Sequence, residues 1–428
     1  MSRGRRKERG FGAFLKHERR SLAWALLIAV GLQFLEFREI LAGPEGLVVD
    51  LFLRAGSLLA PSDPPRIVSL EIDDNAFQMC FGSQPLDPDG VISLVRTAAA
   101  NAEASVIGVD ILTDPQSQDL AGKYFAAAEE LTNAKPPIIW ASGADQQKFH
   151  PVLFTSWLTG GTDRLVVRPT RVLGYDPGNP ELKSESWALT VFPRDEDLRL
   201  RRFSRTIEVS ADPLSSSVAE PVANWAARIA DVYCLHNPGY HCAQDKKDEV
   251  FMSFDADAVK SIPVLSVFQC RKAASGQTAM FSAPDETALK RFTDRAKGGV
   301  LLIGGTFRNG NDIHDTPEGP IPGLRINAYA ILALIRGPYF SEVGRLWTFL
   351  PDVVLGCAIV YLFWRLSSVQ SMILATIALL PFTLIVSGVI LYLGYVWLTC
   401  IGVALGIMPH ALLEIYKMNP AMPKRRHS

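Results

Sequence analysis

The sequence predicts an α/β domain with a mixed, largely parallel sheet flanked by helices, bracketed by four transmembrane helices. Three observations carry that reading. Short buried-strand patterns alternate with amphipathic helical ones between residues 66 and 336, as in chains whose strands are joined by helical crossovers. From Leu366 to Leu413, 48 consecutive residues include no Asp, Glu, Lys or Arg. Residues 1–20 carry a net charge of +6 and residues 416–428 a net +4, while the whole chain sums to −1.

The membrane elements follow from these runs. Ser21–Leu35 is charge-free and preceded by Arg19 and Arg20. Fifteen residues are short for a span, which needs about 20, so the first helix is read over 21–41. A cleaved signal peptide is the rival reading, since n-region charge and h-region length both suit it. A second helix covers 346–365, with Asp352 near its outer end. The charge-free run would be roughly 72 Å long as one helix, more than twice the bilayer core. It therefore folds back as helices 370–391 and 394–415, turning at Tyr392-Leu393-Gly394-Tyr395, with Pro381 kinking the first of them. Four spans return both basic tails to one side, and positive charge assigns that side to the cytoplasm. Residues 42–345 are then periplasmic or extracellular. Anionic lipid suits the tails; nucleic acid is excluded as a partner, because the acidic body would repel phosphate.

Within the body, Gly46–Leu59 has the spacing of an amphipathic helix lying near the membrane. Arg66–Asp73, Ser105–Ile111, Pro137–Ala141 and Gly299–Gly305 read as strands, with others around Arg164–Arg168, Leu198–Val209 and Val250–Phe254. Helices are predicted at Val91–Ala104, Asp119–Asn133, Pro221–Tyr233, Asp285–Arg295 and Gly323–Arg336.

Acidic residues gather at strand ends: Glu71, Asp73 and Asp74 on the first, Asp110 and Asp114 on the second, and Asp312 and Asp315 with His314 after the last. Side chains at the carboxyl ends of parallel strands converge on one edge, where they could hold a divalent cation or act as acid and base. Capping of helices and closing of turns is the alternative use of short carboxylates. Gly304–Gly310 is no phosphate loop, for no Lys-Ser/Thr follows its last glycine. No serine-nucleophile elbow, zinc-protease helix or kinase signature occurs, so neither an enzyme nor a cofactor is expected. Cys234 and Cys242 flank a loop with Asn237-Pro238-Gly239 at its tip, which suits a disulfide in an oxidising compartment. A zinc site from Cys234, His236, His241 and Cys242 competes with it, at a spacing that matches no common motif. Cys80 with Cys270 is a further pairing that sequence does not establish.

Taken together, Arg66 to Asn75, Ser105 to Leu112, and Val300 through Asp312, Thr316-Pro317 and Pro322-Gly323 resemble the three signatures of the CHASE domain of the second type (cyclase/histidine-kinase-associated sensory extracellular). Asp195–Phe203, with Arg201-Arg202, is similar to that family's aspartate–arginine stretch. One leading helix, an extracytoplasmic domain and three trailing helices match its architecture. Two departures stand out: Gly82–Pro88 replaces a tryptophan-rich turn, and Asn327 stands where the family usually has His. The resemblance implies signature positions at Asp73, Asp74, Asp110, Asp312, Asp315, Thr316, Pro317 and Asn327, with Thr316-Pro317 fixing a turn. It implies an integral membrane sensor. With about 13 residues after the last helix, output is expected through a separately encoded partner, with a homodimer by analogy. A scaffold subunit of a membrane complex and a metal-dependent hydrolase are the alternatives.

Overall fold

The computed structural model describes, with single-residue gaps, residues 65–111, 135–142, 186–192, 198–209, 220–240, 249–272 and 279–336, the strands at 145–149, 164–168, 341–342 and 396–397, most of 46–54, and isolated positions elsewhere. It forms two units, residues 50–150 with 163–339, and residues 1–49 with 151–162 and 340–428.

The first unit begins with residues 50, 51, 53 and 54, which are helical. Strand β1 (Ile67–Ile72) follows and is buried at all six positions. A strand covered on both faces needs apolar or internally satisfied side chains throughout. After a helical segment at Asp74–Ala76 and a π-turn at Phe77–Phe81, helix α1 (Pro88–Ala102) starts at Asp87. The Asp87 carboxylate accepts from the Gly90 N–H at 3.2 Å, and Pro88 fills the first turn, where no donor is needed. Strands β2 (Val106–Asp110), β3 (Ile138–Ser142), β4 (Asp145–Phe149), β5 (Arg164–Arg168), β6 (Trp187–Leu189), β7 (Arg202–Ser204), β8 (Thr206–Val209) and β9 (Glu220–Ala223) lead to helix α2 (Trp225–His236). Next come β10 (Glu249–Phe251), β11 (Val259–Pro263), β12 (Gln269–Lys272) and β13 (Ala279–Ser282), then helix α3 (Glu286–Ala296). Strand β14 (Val300–Gly305), the hairpin β15 (Ile313–Thr316) and β16 (Gly319–Pro322), and helix α4 (Gly323–Arg336) complete the unit.

Six strands form the central sheet in the order β11-β1-β14-β2-β3-β6, every pair parallel. Alternation along each strand divides the core in two. Val68, Leu70 and Ile72 of β1 share one apolar cluster with α1 and α3; Ile67, Val106 and Leu302 share the other with α2 and α4. The result is helix, sheet, helix. Leu70, Leu301, Leu302 and Ile303 are completely buried, and each such side chain contributes about 1.5–3 kcal/mol. In α4 every residue except Arg325 and Arg336 is buried, as in a helix enclosed on all sides. Gly108 of β2 lets α2 approach: a Cβ there would meet Ile229, Trp225 Cζ2 at 2.7 Å and Leu302 at 2.9 Å. A four-stranded sheet, β4-β5-β8-β9, and the pairs β7–β10 and β12–β13 flank this core.

The parallel sheet agrees with the sequence expectation, with instructive differences. The helix predicted from Pro221 starts after Asn224, because Glu220–Ala223 pairs with β8 instead. Asn224 is completely buried; it caps α2 through the Ala226 N–H and donates to the Val191 carbonyl at 2.7 Å. The single strand predicted over 198–209 is two, with Arg205 between them. Of the helix predicted at Asp119–Asn133, only Glu130 and Leu131 are described, both helical.

In the second unit, β17 (Ser341–Glu342) pairs in parallel with β18 (Val396–Trp397). The latter two residues are strand although they fall inside the fourth predicted span. Among the described residues no helix is long and apolar enough to cross a membrane. The four predicted spans lie almost wholly outside those residues.

Candidate functional site

Between neighbouring strands β1 and β14 the chain changes face. From β1 it continues into α1 on one side of the sheet; from β14 it continues into α4 on the other. Such a switch point is where open α/β sheets expose the carboxyl ends of their strands to a ligand.

Alternation aims particular side chains at that edge. Ser69 and Glu71 lie on the α4 side of β1, in step with Ile67. Glu71 is buried, and Arg325 of α4 donates to it twice, Nε to Oε1 at 2.8 Å and Nη2 to Oε2 at 2.9 Å. Ser69 Oγ adds a hydrogen bond at 3.2 Å. Burial by itself would push the Glu71 carboxyl up. Hydrogen bonds from Arg325, Ser261 and Ser69, with the guanidinium charge, more than offset this and hold it below the usual carboxylate range. Its hydrogen bonds to Glu71 likewise raise Arg325.

On β2 the same alternation turns Asp110 toward α4. Asn327 Nδ2 donates to Asp110 Oδ2 at 2.8 Å and to Thr190 Oγ1 at 3.2 Å. Asn327 is itself buried, and its Oδ1 has no hydrogen-bond partner. Turning the amide over would place NH₂ at that position, so an unsatisfied atom remains either way. Desolvation, then the negative charge of Asp312, push the half-buried Asp110 carboxyl up to about 7, against the hydrogen bond from Asn327. Asp312 enters from the loop after β14. Its backbone carbonyl accepts from the Gly323 N–H at 2.9 Å, and its Oδ1 meets His314 Nε2 at 2.8 Å. Glycine at 323 leaves room for the Asp312 carboxylate, which a Cβ there would displace. The His314 ring lies edge-on to Phe192, centroids 6.4 Å apart.

The remaining sequence candidates have local roles. Asp73 caps the helical segment after β1, accepting from the Ala76 N–H at 2.8 Å. Asp74 accepts from the Arg308 N–H at 2.8 Å. Asp315 is exposed on β15, and its carbonyl accepts from the Leu200 N–H. Thr316 and Pro317 make the hairpin turn: Thr316 Oγ1 donates to the Gly319 carbonyl at 2.7 Å and accepts from the Glu318 N–H at 3.2 Å. Among the described residues, no group of three or more His, Cys, Asp or Glu stands together as a metal site. Asp73, Asp110 and Asp312 therefore do not form the cation cluster considered from the sequence. Sequence reasoning missed Thr190 and the Glu71–Arg325 pair. The alternation of Arg66–Asp73 places Glu71 on the same face as Ser69, and that was the available signal.

Cys80 and Cys270 form a disulfide that ties the π-turn after β1 to β12. Cys234 is also disulfide-bonded, while Cys242 and His241, named with it in the predicted loop, lie outside the described residues.

Fold and site define a three-layer, parallel α/β domain whose polar cluster combines carboxylates with a buried amide at the carboxyl ends of β14 and β2. The model of the CHASE2 domain matches residues 22–366, and the chain belongs to that family. CHASE2 domains are extracytoplasmic sensory domains, not a catalytic family. No curated protein and no solved structure matches the chain.

Proposed function

We propose that the chain is an integral membrane sensor: residues 42–345 detect a condition outside the cytoplasm and pass it through four membrane helices to a separate partner protein. Family membership over residues 22–366 carries this reading. The polar cluster of Asp110, Asp312 and Asn327 is the input site. It offers carboxylate oxygens and one unsatisfied amide position, a set that favours hydrogen-bond donors or positive charge over anions.

The pairing of β17 with β18 supports the proposed topology. Ser341–Glu342 precedes the second predicted span, and Val396–Trp397 fall just inside the fourth, whose helix would then begin after Trp397. In the four-helix scheme both spans run from outside to inside, so their starts share a side and a direction, as a parallel pair requires. The charge of the two tails points the same way.

Two measurements test the proposal. A periplasmic-type reporter fused after residue 300 should be active and a cytosolic one silent; activity in the cytosol would refute the topology. Cross-linking in native membranes should recover the same partner repeatedly, and recovery of none would remove the signalling role.

A further inference from the structure

The acidic cluster is connected to the chain that leads toward the first predicted span. Asp50, in the helical residues before β1, is buried and accepts from two arginines. Arg201 Nε meets Asp50 Oδ1 at 2.5 Å and Arg201 Nη2 meets Oδ2 at 3.3 Å, while Arg199 Nη1 meets Oδ2 at 2.7 Å. Arg201 is only 2% exposed, so its contact with Asp50 is a buried ion pair, of the kind that is costly to break by removing one partner. The residue between the two arginines is attached to the hairpin, since the Leu200 N–H donates to the Asp315 carbonyl of β15 at 2.8 Å.

One helical turn after Asp50, Arg54 makes a second connection. Its guanidinium donates to the Pro317 carbonyl and pairs with Glu318 Oε1 at 3.2 Å. Both acceptors belong to the turn that Thr316 braces. At its other end, the hairpin starts beside the input cluster, with Asp312 held by the Gly323 N–H and paired to His314 of β15. Two four-residue strands cover roughly 13 Å. They lead from the cluster to the segment at 50–54.

We infer that the β15–β16 hairpin is a coupling arm that links the Asp110–Asp312–Asn327 cluster to residues 50–54, from which the chain runs back toward the first predicted span. A change at Asp312 shifts the root of the hairpin, and the turn carries that shift to Arg54 while Leu200 carries it to the Arg199/Arg201 grip on Asp50. The purpose of the arm rests on the sensor reading; the mechanical link does not need a partner to be measured.

Hydrogen–deuterium exchange on the full chain in lipid nanodiscs tests the link. Three peptides are followed: residues 46–58, residues 312–322, and α3 as a remote control. Asp312→Asn should raise exchange in 46–58, and Arg54→Ala should raise it in 312–322, each by about fivefold, the local opening expected when one such hydrogen bond is lost. The control should not move, and Arg54→Lys should show a smaller effect. Unchanged exchange in 46–58 with Asp312→Asn would overturn the arm. So would a uniform rise in all three peptides, which reports global loosening. Reciprocal coupling without any cross-linked partner would leave the arm standing and defeat the sensor reading; a captured partner with silent exchange would do the reverse.

Discussion

Arg325 holds Glu71 through two parallel hydrogen bonds, 2.8 and 2.9 Å long, across 254 positions of sequence. The carboxylate is buried and the guanidinium side chain is 40% exposed. Water can therefore replace part of what Glu71 satisfies for Arg325, but little of the reverse. Arg325→Ala should cost about 2–3 kcal/mol, somewhat below the usual loss for a fully buried pair. Arg325→Lys, lacking the planar fork, should recover about half of that. Chemical denaturation of the detergent-solubilised protein measures both, and equal stability for Arg325→Ala and the parent would contradict this role.

Asp110 predicts a pH dependence of opposite sign to Glu71. Its folded-state value of about 7 lies above the ordinary 3.8, so the folded chain retains a proton that the unfolded chain releases between those values. The stability so contributed is complete below about pH 4 and lost as the pH rises toward 7. Asp110→Asn, neutral at every pH, should flatten that slope and raise stability near pH 8 by about 1–2 kcal/mol, allowing for partial solvation of the site. Glu71 is held low, so its contribution falls away only in more acidic solution. A melting-temperature series from pH 4 to about pH 8 separates the two. An unchanged slope in Asp110→Asn would show that another group titrates there.

The Cys80–Cys270 disulfide spans 190 positions. Cross-links closing long loops stabilise mainly by restricting the unfolded chain. Replacing both cysteines with Ala should lower stability by about 2–4 kcal/mol. Non-reducing peptide mapping should recover the linkage from the parent protein; free thiols at both positions after extraction from an oxidising compartment would refute it.

At Gly108 the expected effect is steric. A methyl group there would press on Ile229, Trp225 and Leu302 in a filled core. Gly108→Ala should destabilise by about 2–3 kcal/mol, since close-packed interiors yield poorly to added volume. Thermal unfolding provides the measurement, and a gain in stability would mean that α2 can shift away from the sheet.

The alternation of sheet strands with flanking helices is largely legible in the sequence. Continuous apolar runs such as Val300–Ile303 mark strands covered on both faces, and the period of Gly323–Arg336 marks its helix. Strand β11 was not legible. Among the described residues it pairs with β1 alone, and its exposed Lys260 and Ser261 interrupt the apolar signal. The hairpin strands were missed because Pro320 and Pro322 discourage a strand reading; they are tolerated in a ribbon that, among the described residues, has two strands. Asp110 and Asp312 were legible as candidates because strand ends are local features. Whether those carboxylates would converge or cap turns was not: Asp110 and Asp312 came together, whereas Asp73 caps the helical segment beside it.

By itself, the order of residues determined the α/β class, the positions of four of the six central-sheet strands and of the main helices, and the signature segments of the CHASE2 family, because periodicity and short motifs depend on neighbours in the chain. Only the tertiary structure decided that Glu71 meets Arg325, that Asn327 reaches Asp110, and that Arg201 closes on Asp50. Those pairs are 254, 217 and 151 positions apart. Their partners are chosen by which strand lies beside which, and by which face of the sheet each helix covers.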